Sequence, residues 1–296
     1  MFCAGSGFAR IVLTVFAVSA LSVFGAAAQP TAPSLAKDEA ATSEEAVSVA
    51  PSAADMASSD MDRSAGADPT ALAHYQAGRY DAAVAAASEA GGAPNLALAA
   101  RAMNAAGYFE IRASAARKDA LRAAEFAERA LEADPDNVEA HLQLAISHSV
   151  RAANMSGPRA FLLGLPKRAR RSIDAALALD PDNPWALSTS GTWRIEVARR
   201  GADRIYKADP DVGFEEIERA RALDPDNVVI AFEAAVSYRA SDREEWRRTG
   251  SDALSVALNG PAQSVFEKGV QRLAQDFQTA VDEGRDAELA FIADQR

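Results

Sequence analysis

His141 and His148 lie seven positions apart, so on a helix both imidazoles share one face and could supply two metal ligands. No third ligand of suitable type stands near them, because Glu139 falls off that face. Both are read as packing residues between helices, and the isolated His74 is read the same way. Six aspartates also come in pairs, at Asp134 and Asp136, Asp180 and Asp182, and Asp224 and Asp226. Paired carboxylates suggest calcium, but a calcium loop needs several oxygens from one short loop with a glycine bend. Here each pair encloses a proline and precedes an asparagine, which is the chemistry of a helix stop followed by a helix cap. No glycine-rich phosphate loop, zinc-helix motif or nucleophile elbow occurs, and no histidine is placed as a base for a serine. The chain therefore reads as a non-enzyme without cofactor or metal.

One charge pattern stands out. Arg151, Arg159, Lys167, Arg168, Arg170 and Arg171 fall in a window without an acid, although the chain carries a formal charge of -11. Phe161-Leu162-Leu163-Gly164-Leu165-Pro166 sits inside that window. Apolar groups interleaved with cations suit a docking surface formed by Arg159, Phe161, Lys167, Arg168, Arg170 and Arg171, for an acidic partner or an anionic membrane. A packed loop with solvated guanidinium heads accounts for the same residues, and so does masking by an acidic stretch elsewhere in the chain. The acidic balance argues against a general affinity for nucleic acid.

The elements that position these groups are marked by Asp-Pro-Asp-Asn, present at 134–137, 180–183 and 224–227, each time after an Ala-Leu step. Proline ends one helix, and Asp or Asn accepts from the free amides of the next. Repetition of that break predicts an all-α stack of helical hairpins. Abundant alanine and few aromatics agree with close-packed helices. Tyr75-Gln76-Ala77-Gly78-Arg79-Tyr80-Asp81-Ala82-Ala83 resembles the middle of a tetratricopeptide repeat, with Gly78 at the turn, Tyr80 between the helices and Ala83 at their close approach. Small residues before each Asp-Pro stop continue the resemblance, among them Ala123 and Ala130, Ala169 and Ala176, and Gly213 and Ala220.

The prolines are spaced more widely than in that family, which implies inserts around 154–167 and 200–211, between the two helices of a repeat and hence on the same side of the stack. Asp242 to Leu258 and Val265 to Ala293 read as further helices, the last of them a cap. Gly191-Thr192-Trp193-Arg194-Ile195-Glu196-Val197-Ala198-Arg199-Arg200 is similar to tetratricopeptide-like proteins of the microtubule-dynamics-regulator type, and this likeness implies a non-catalytic helical protein.

The tetratricopeptide resemblance implies a right-handed superhelix with a concave groove lined by the first helix of each repeat. Its groove positions would be Glu139, Gln143 and Ile146; Trp185, Thr189, Thr192 and Glu196; and Val229, Phe232, Val236 and Arg239, with Trp185 and Phe232 exposed. The Lys and Asn that grip acidic carboxy-termini in some members are replaced here by residues such as Leu142, Ser188 and Val236, which disfavours a cytosolic chaperone adaptor.

The N-terminal 28 residues look like a signal peptide, with an apolar run from Ile11 to Phe24 and an Ala26-x-Ala28 cleavage site. An uncleaved membrane anchor is the other reading of that run. Residues 29–68 have the composition of a disordered acidic spacer, and 69–296 form the repeat domain. The only cysteine, Cys3, lies in the leader. A periplasmic or secreted interaction scaffold for a protein or peptide partner is the expected function. The second expectation is a small-ligand- or lipid-binding accessory protein of an envelope transport system. A deep apolar cavity would favour the second, and an open polar groove the first.

Overall fold

The computed structural model describes residues 63–109 and 113–294. The expected signal peptide and residues 29–62 of the expected spacer lie outside the described residues. The described residues form helices and connecting turns without a strand. The helices are α1 (Pro69–Gln76), α2 (Tyr80–Ala90), α3 (Gly92–Tyr108), α4 (Ala113–Ala133), α5 (Val138–Ala153), α6 (Gly157–Leu162) and α7 (Leu165–Leu179). They continue with α8 (Pro184–Arg199), α9 (Asp203–Tyr206), α10 (Pro210–Leu223), α11 (Val228–Arg239), α12 (Glu244–Asn259), α13 (Val265–Glu283) and α14 (Arg285–Asp294).

Each Asp-Pro-Asp-Asn segment does the same job three times. The Asn137 side chain accepts from the Ala140 amide, Asn183 from Ala186, and Asn227 from Val229 and Ile230, which satisfies donors that the first helical turn leaves open. In the second and third copies the asparagine also donates to the preceding aspartate, Asp180 at 3.1 Å and Asp224 at 2.8 Å. Asp180 and Asp224 therefore hold the cap and are committed locally, while Asp182 pairs with Arg219 of α10.

Helices pair as antiparallel hairpins, α3 with α4, α5 with α7, α8 with α10, and α11 with α12. The inserts are the short helices α6 and α9, each lying between the two members of a hairpin. Tight crossings rely on residues without bulk. A Cβ on Gly191 of α8 would collide with the Gly213 carbonyl oxygen and come within 2.5 Å of Ile217 Cγ1, while one on Gly213 of α10 would lie 2.8 Å from the Gly191 carbonyl oxygen. Ala169, Ala176 and Ala220 are fully buried at the other crossings.

The stack closes on itself. Phe266 of α13 meets Tyr108 and Phe109 at the end of α3, with ring centroids 5.2 and 5.4 Å away. Phe109 also lies so close to Gly269 that a Cβ there would come within 2.5 Å of its ring. From the end of α3 the Tyr108 hydroxyl donates to Glu233 Oε1 of α11 at 2.6 Å, joining residues 125 positions apart. Closure turns the concave side of the stack into a bounded space.

Residues 63–68, expected at the end of the spacer, are packed onto the repeats instead. Arg63 stacks over the Trp185 ring at 4.0 Å, and Ser64 is buried. Spacer composition extends through this segment, but one guanidinium finds a buried carboxylate and an indole face, which is enough to fasten it.

Candidate functional site

The inner faces of α3, α5, α8 and α11 line a partly open cavity of about 450 Å³, within the size range of small-molecule pockets. Most of its wall is apolar. Ala105, Ile146, Val150, Ala153, Val197, Val229 and Ile230 contribute side chains, Phe266 contributes from α13, and Phe161 and Ile205 contribute from the two inserts.

A buried polar chain runs along the floor. Glu139 accepts both Nε and Nη2 of Arg63, at 3.1 and 2.9 Å, and pairs with Arg101 Nε at 2.8 Å. Gln143 Nε2 donates to Glu139, and Asn104 Nδ2 donates to Gln143 Oε1. The chain continues to Ser147, whose hydroxyl donates to Asn104 Oδ1. Burial would raise the Glu139 carboxyl, but the guanidinium groups of Arg101 and Arg63 outweigh it and hold the group below the usual carboxylate range. On the opposite wall, burial together with the neighbouring Glu233 carboxylate pushes the Tyr108 phenol well above its ordinary value, so it stays a neutral donor.

Of the lining residues, Trp185 Nε1 and Thr192 Oγ1 are buried without a hydrogen-bond partner among the described residues. Both belong to α8, seven residues apart and so about 10 Å apart along one face. A buried indole N–H ordinarily finds an acceptor, but neither atom has accessible surface, so both are unmet polar groups within the wall rather than groups presented to an occupant.

Of the expected groove residues, Gln143, Trp185, Thr189, Thr192 and Glu196 line this cavity, together with Ile146 and Val229. Four others are placed differently, one of them Val236, which is buried in the core. Glu139 is consumed by its two arginines. Phe232 is 2% exposed rather than open, because α13 covers that side of α11 and sets Phe277 edge-on against it at 6.3 Å. Arg239 is turned away to pair with Glu288 of α14 and to donate to Ser251. Among the expected basic residues, Arg159, Lys167, Arg168 and Arg171 are exposed, as is Phe161. Arg170 is half-buried: it pairs with Asp174, donates to Ser190 Oγ at 2.7 Å and sits over Trp193 at 5.5 Å. It is a packing residue, because an acid just beyond the acid-free window neutralises it. The residues that sequence reasoning missed are Arg63, Arg101, Asn104, Tyr108 and Glu233, whose partners lie far away in the chain and leave no local signature.

The two histidines separate. His141 Nε2 lies 2.9 Å from the Pro135 carbonyl oxygen, whereas His148 is buried on α5. Among the described residues no group of three or more His, Cys, Asp or Glu could hold a metal ion. Burial, with Arg151 and then Arg168 nearby, lowers the His148 imidazole from 6.5 to about 4. The sign follows from linkage. Above pH 6.5 the ring is neutral in both folded and unfolded chains. As pH falls from 6.5 towards 4, the unfolded chain takes up a proton that the folded one refuses, so stability drops by about 3 kcal/mol across that window. Urea titrations at pH 7 and pH 4.5 should show the loss, and His148→Phe should flatten that part of the curve.

The family model described as Regulator of microtubule dynamics protein 1-3 matches residues 87–245. That is more than half of the chain. The chain belongs to this family. The matched span runs from the end of α2 into α12 and contains the four helices that wall the cavity together with both inserts, while Arg63 and Phe266, which help close it, fall outside. Comparison with curated proteins gives no match.

Proposed function

We propose that the protein binds one elongated, amphipathic small molecule of the lipid class in the cavity lined by α3, α5, α8 and α11. The observation that carries this reading is the bounded, mainly apolar space itself, which the closing contacts of Phe266 and Tyr108 make from what would otherwise be an open groove. Burial of an acyl chain there is favourable by roughly 0.8 kcal/mol per methylene. The wall is not wholly apolar, since Ser149, Thr189 and Glu233 also line it, so an amphiphile suits the site better than a pure hydrocarbon. We read the hairpins as tetratricopeptide-like and the protein as acting after export in the cell envelope, as the residues 1–28 suggest, without enzymatic activity. The family's description speaks of microtubule dynamics, but the cavity is what supports a ligand here.

Titration with a fluorescent fatty acid should show saturable binding. Ile146→Trp combined with Thr189→Trp fills the cavity from half-exposed positions on α5 and α8, and it should weaken binding by at least about tenfold, or about 1.4 kcal/mol, with the helical circular dichroism unchanged. Equal affinity in the filled variant would contradict the site.

A second reading, an interaction scaffold whose concave face holds a partner's peptide or helix, draws on the exposed apolar residues Phe161 and Leu162 beside the opening. Crosslinking from Thr189 to one protein of the envelope fraction, with no binding of the fatty acid, would favour it.

A further inference from the structure

The inserts α6 and α9 combine three properties that the rest of the surface does not share. They are the most exposed apolar positions among the described residues: Leu162 is 85% exposed, Ile205 65% and Phe161 60%. Phe161 and Ile205 also line the cavity, so this apolar ridge forms the lip of its opening. Exposed cations neighbour these residues in the sequence, namely Arg159, Lys167, Arg168 and Arg171 on one insert and the helix that follows it, and Arg204 and Lys207 on the other. None of these six makes an ion pair with another described residue. Residues 155–173 contain no acid, and Asp203 is the only acid between 197 and 208, in a chain of net charge -11.

We infer that the lip formed by α6 and α9 docks on an anionic bilayer, with Leu162, Phe161 and Ile205 entering the headgroup boundary and these cations meeting lipid phosphates and carboxylates, so that the cavity opens directly onto the membrane. The physical case is charge and apolar complementarity together. Exposed leucine, isoleucine and phenylalanine gain from leaving water, and each nearby Lys or Arg is attracted to a negative surface within a Debye length. An acidic protein surface would match the cations but offers no reason for Leu162 to stand nearly free at the rim of an apolar cavity. The inference rests on the proposed ligand reading only for the purpose of docking, not for its occurrence.

The test uses the full chain and vesicles of phosphatidylcholine with or without phosphatidylserine. Cosedimentation should require phosphatidylserine and weaken as salt rises. Leu162→Asp, and separately Lys167→Glu with Arg171→Glu, should each reduce vesicle binding by about tenfold or more, while the fatty-acid titration in vesicle-free solution stays as in the wild type. None of these three residues lines the cavity. Absence of wild-type binding, equal binding to neutral vesicles, or variants that sediment like the wild type would overturn the docking surface. Vesicle binding with no fatty-acid binding would leave the docking surface standing and remove the ligand reading instead.

Discussion

Gly191→Val should be the most damaging single substitution in the repeat body, lowering stability by at least about 3 kcal/mol. The reason is what stands opposite. Gly191 of α8 faces the Gly213 carbonyl of α10 and the Ile217 side chain, so new carbon atoms there meet backbone, which cannot rotate aside. The only relief is to move α8 and α10 apart, which exposes Ile217 and Ile195 and strains the Arg194–Glu216 ion pair that spans the same two helices at 3.0 Å. The same movement displaces Thr189 and Thr192 from the cavity wall, so ligand affinity should fall along with the melting temperature. A urea midpoint for Gly191→Val equal to that of the wild type would show that the crossing is looser than described.

Glu139→Leu comes next, with an expected loss of about 3–5 kcal/mol. The carboxylate holds Arg63 and Arg101 together inside the protein, and its removal takes away the buried charge with which both guanidinium groups pair there. Arg63 is also the anchor by which the segment before α1 reaches the Trp185 ring, so limited proteolysis should cut near residue 66 sooner in the variant. The pH dependence has a definite sign. Because the folded-state pKa is lowered, the contribution is complete above the ordinary glutamate range and is lost as pH falls through the lowered value. Unchanged stability and unchanged cleavage would mean that the arginines find other partners at little cost.

Local chemistry was legible in the sequence, and long-range closure was not. The Asp-Pro-Asp-Asn breaks could be read because proline and asparagine act on the amides next to them, and all three caps form as that chemistry requires. The inward face of α5 and α8 could be read because the tetratricopeptide resemblance assigns the first helix of each repeat to the groove. The same resemblance misplaced Phe232 and Arg239, since it does not tell which face of α11 the C-terminal helices will cover. Nothing near Tyr108 announces Glu233, and the composition around Arg63 is that of a spacer, so neither the ring closure nor the anchor could be seen from the sequence. The acid-free run of cations was real as a pattern. One member, Arg170, has its acid four residues further on, which a window ending at Arg171 hides.

The central claim is that the closed stack holds an amphiphile, and native mass spectrometry of the protein purified without detergent tests it most directly. The wild type should carry one additional molecule per chain, with a mass in the lipid range and released by organic extraction, and the variant combining Ile146→Trp and Thr189→Trp should carry none. A wild-type mass equal to that of the bare polypeptide, together with no saturable uptake of added fatty acid, would contradict the claim.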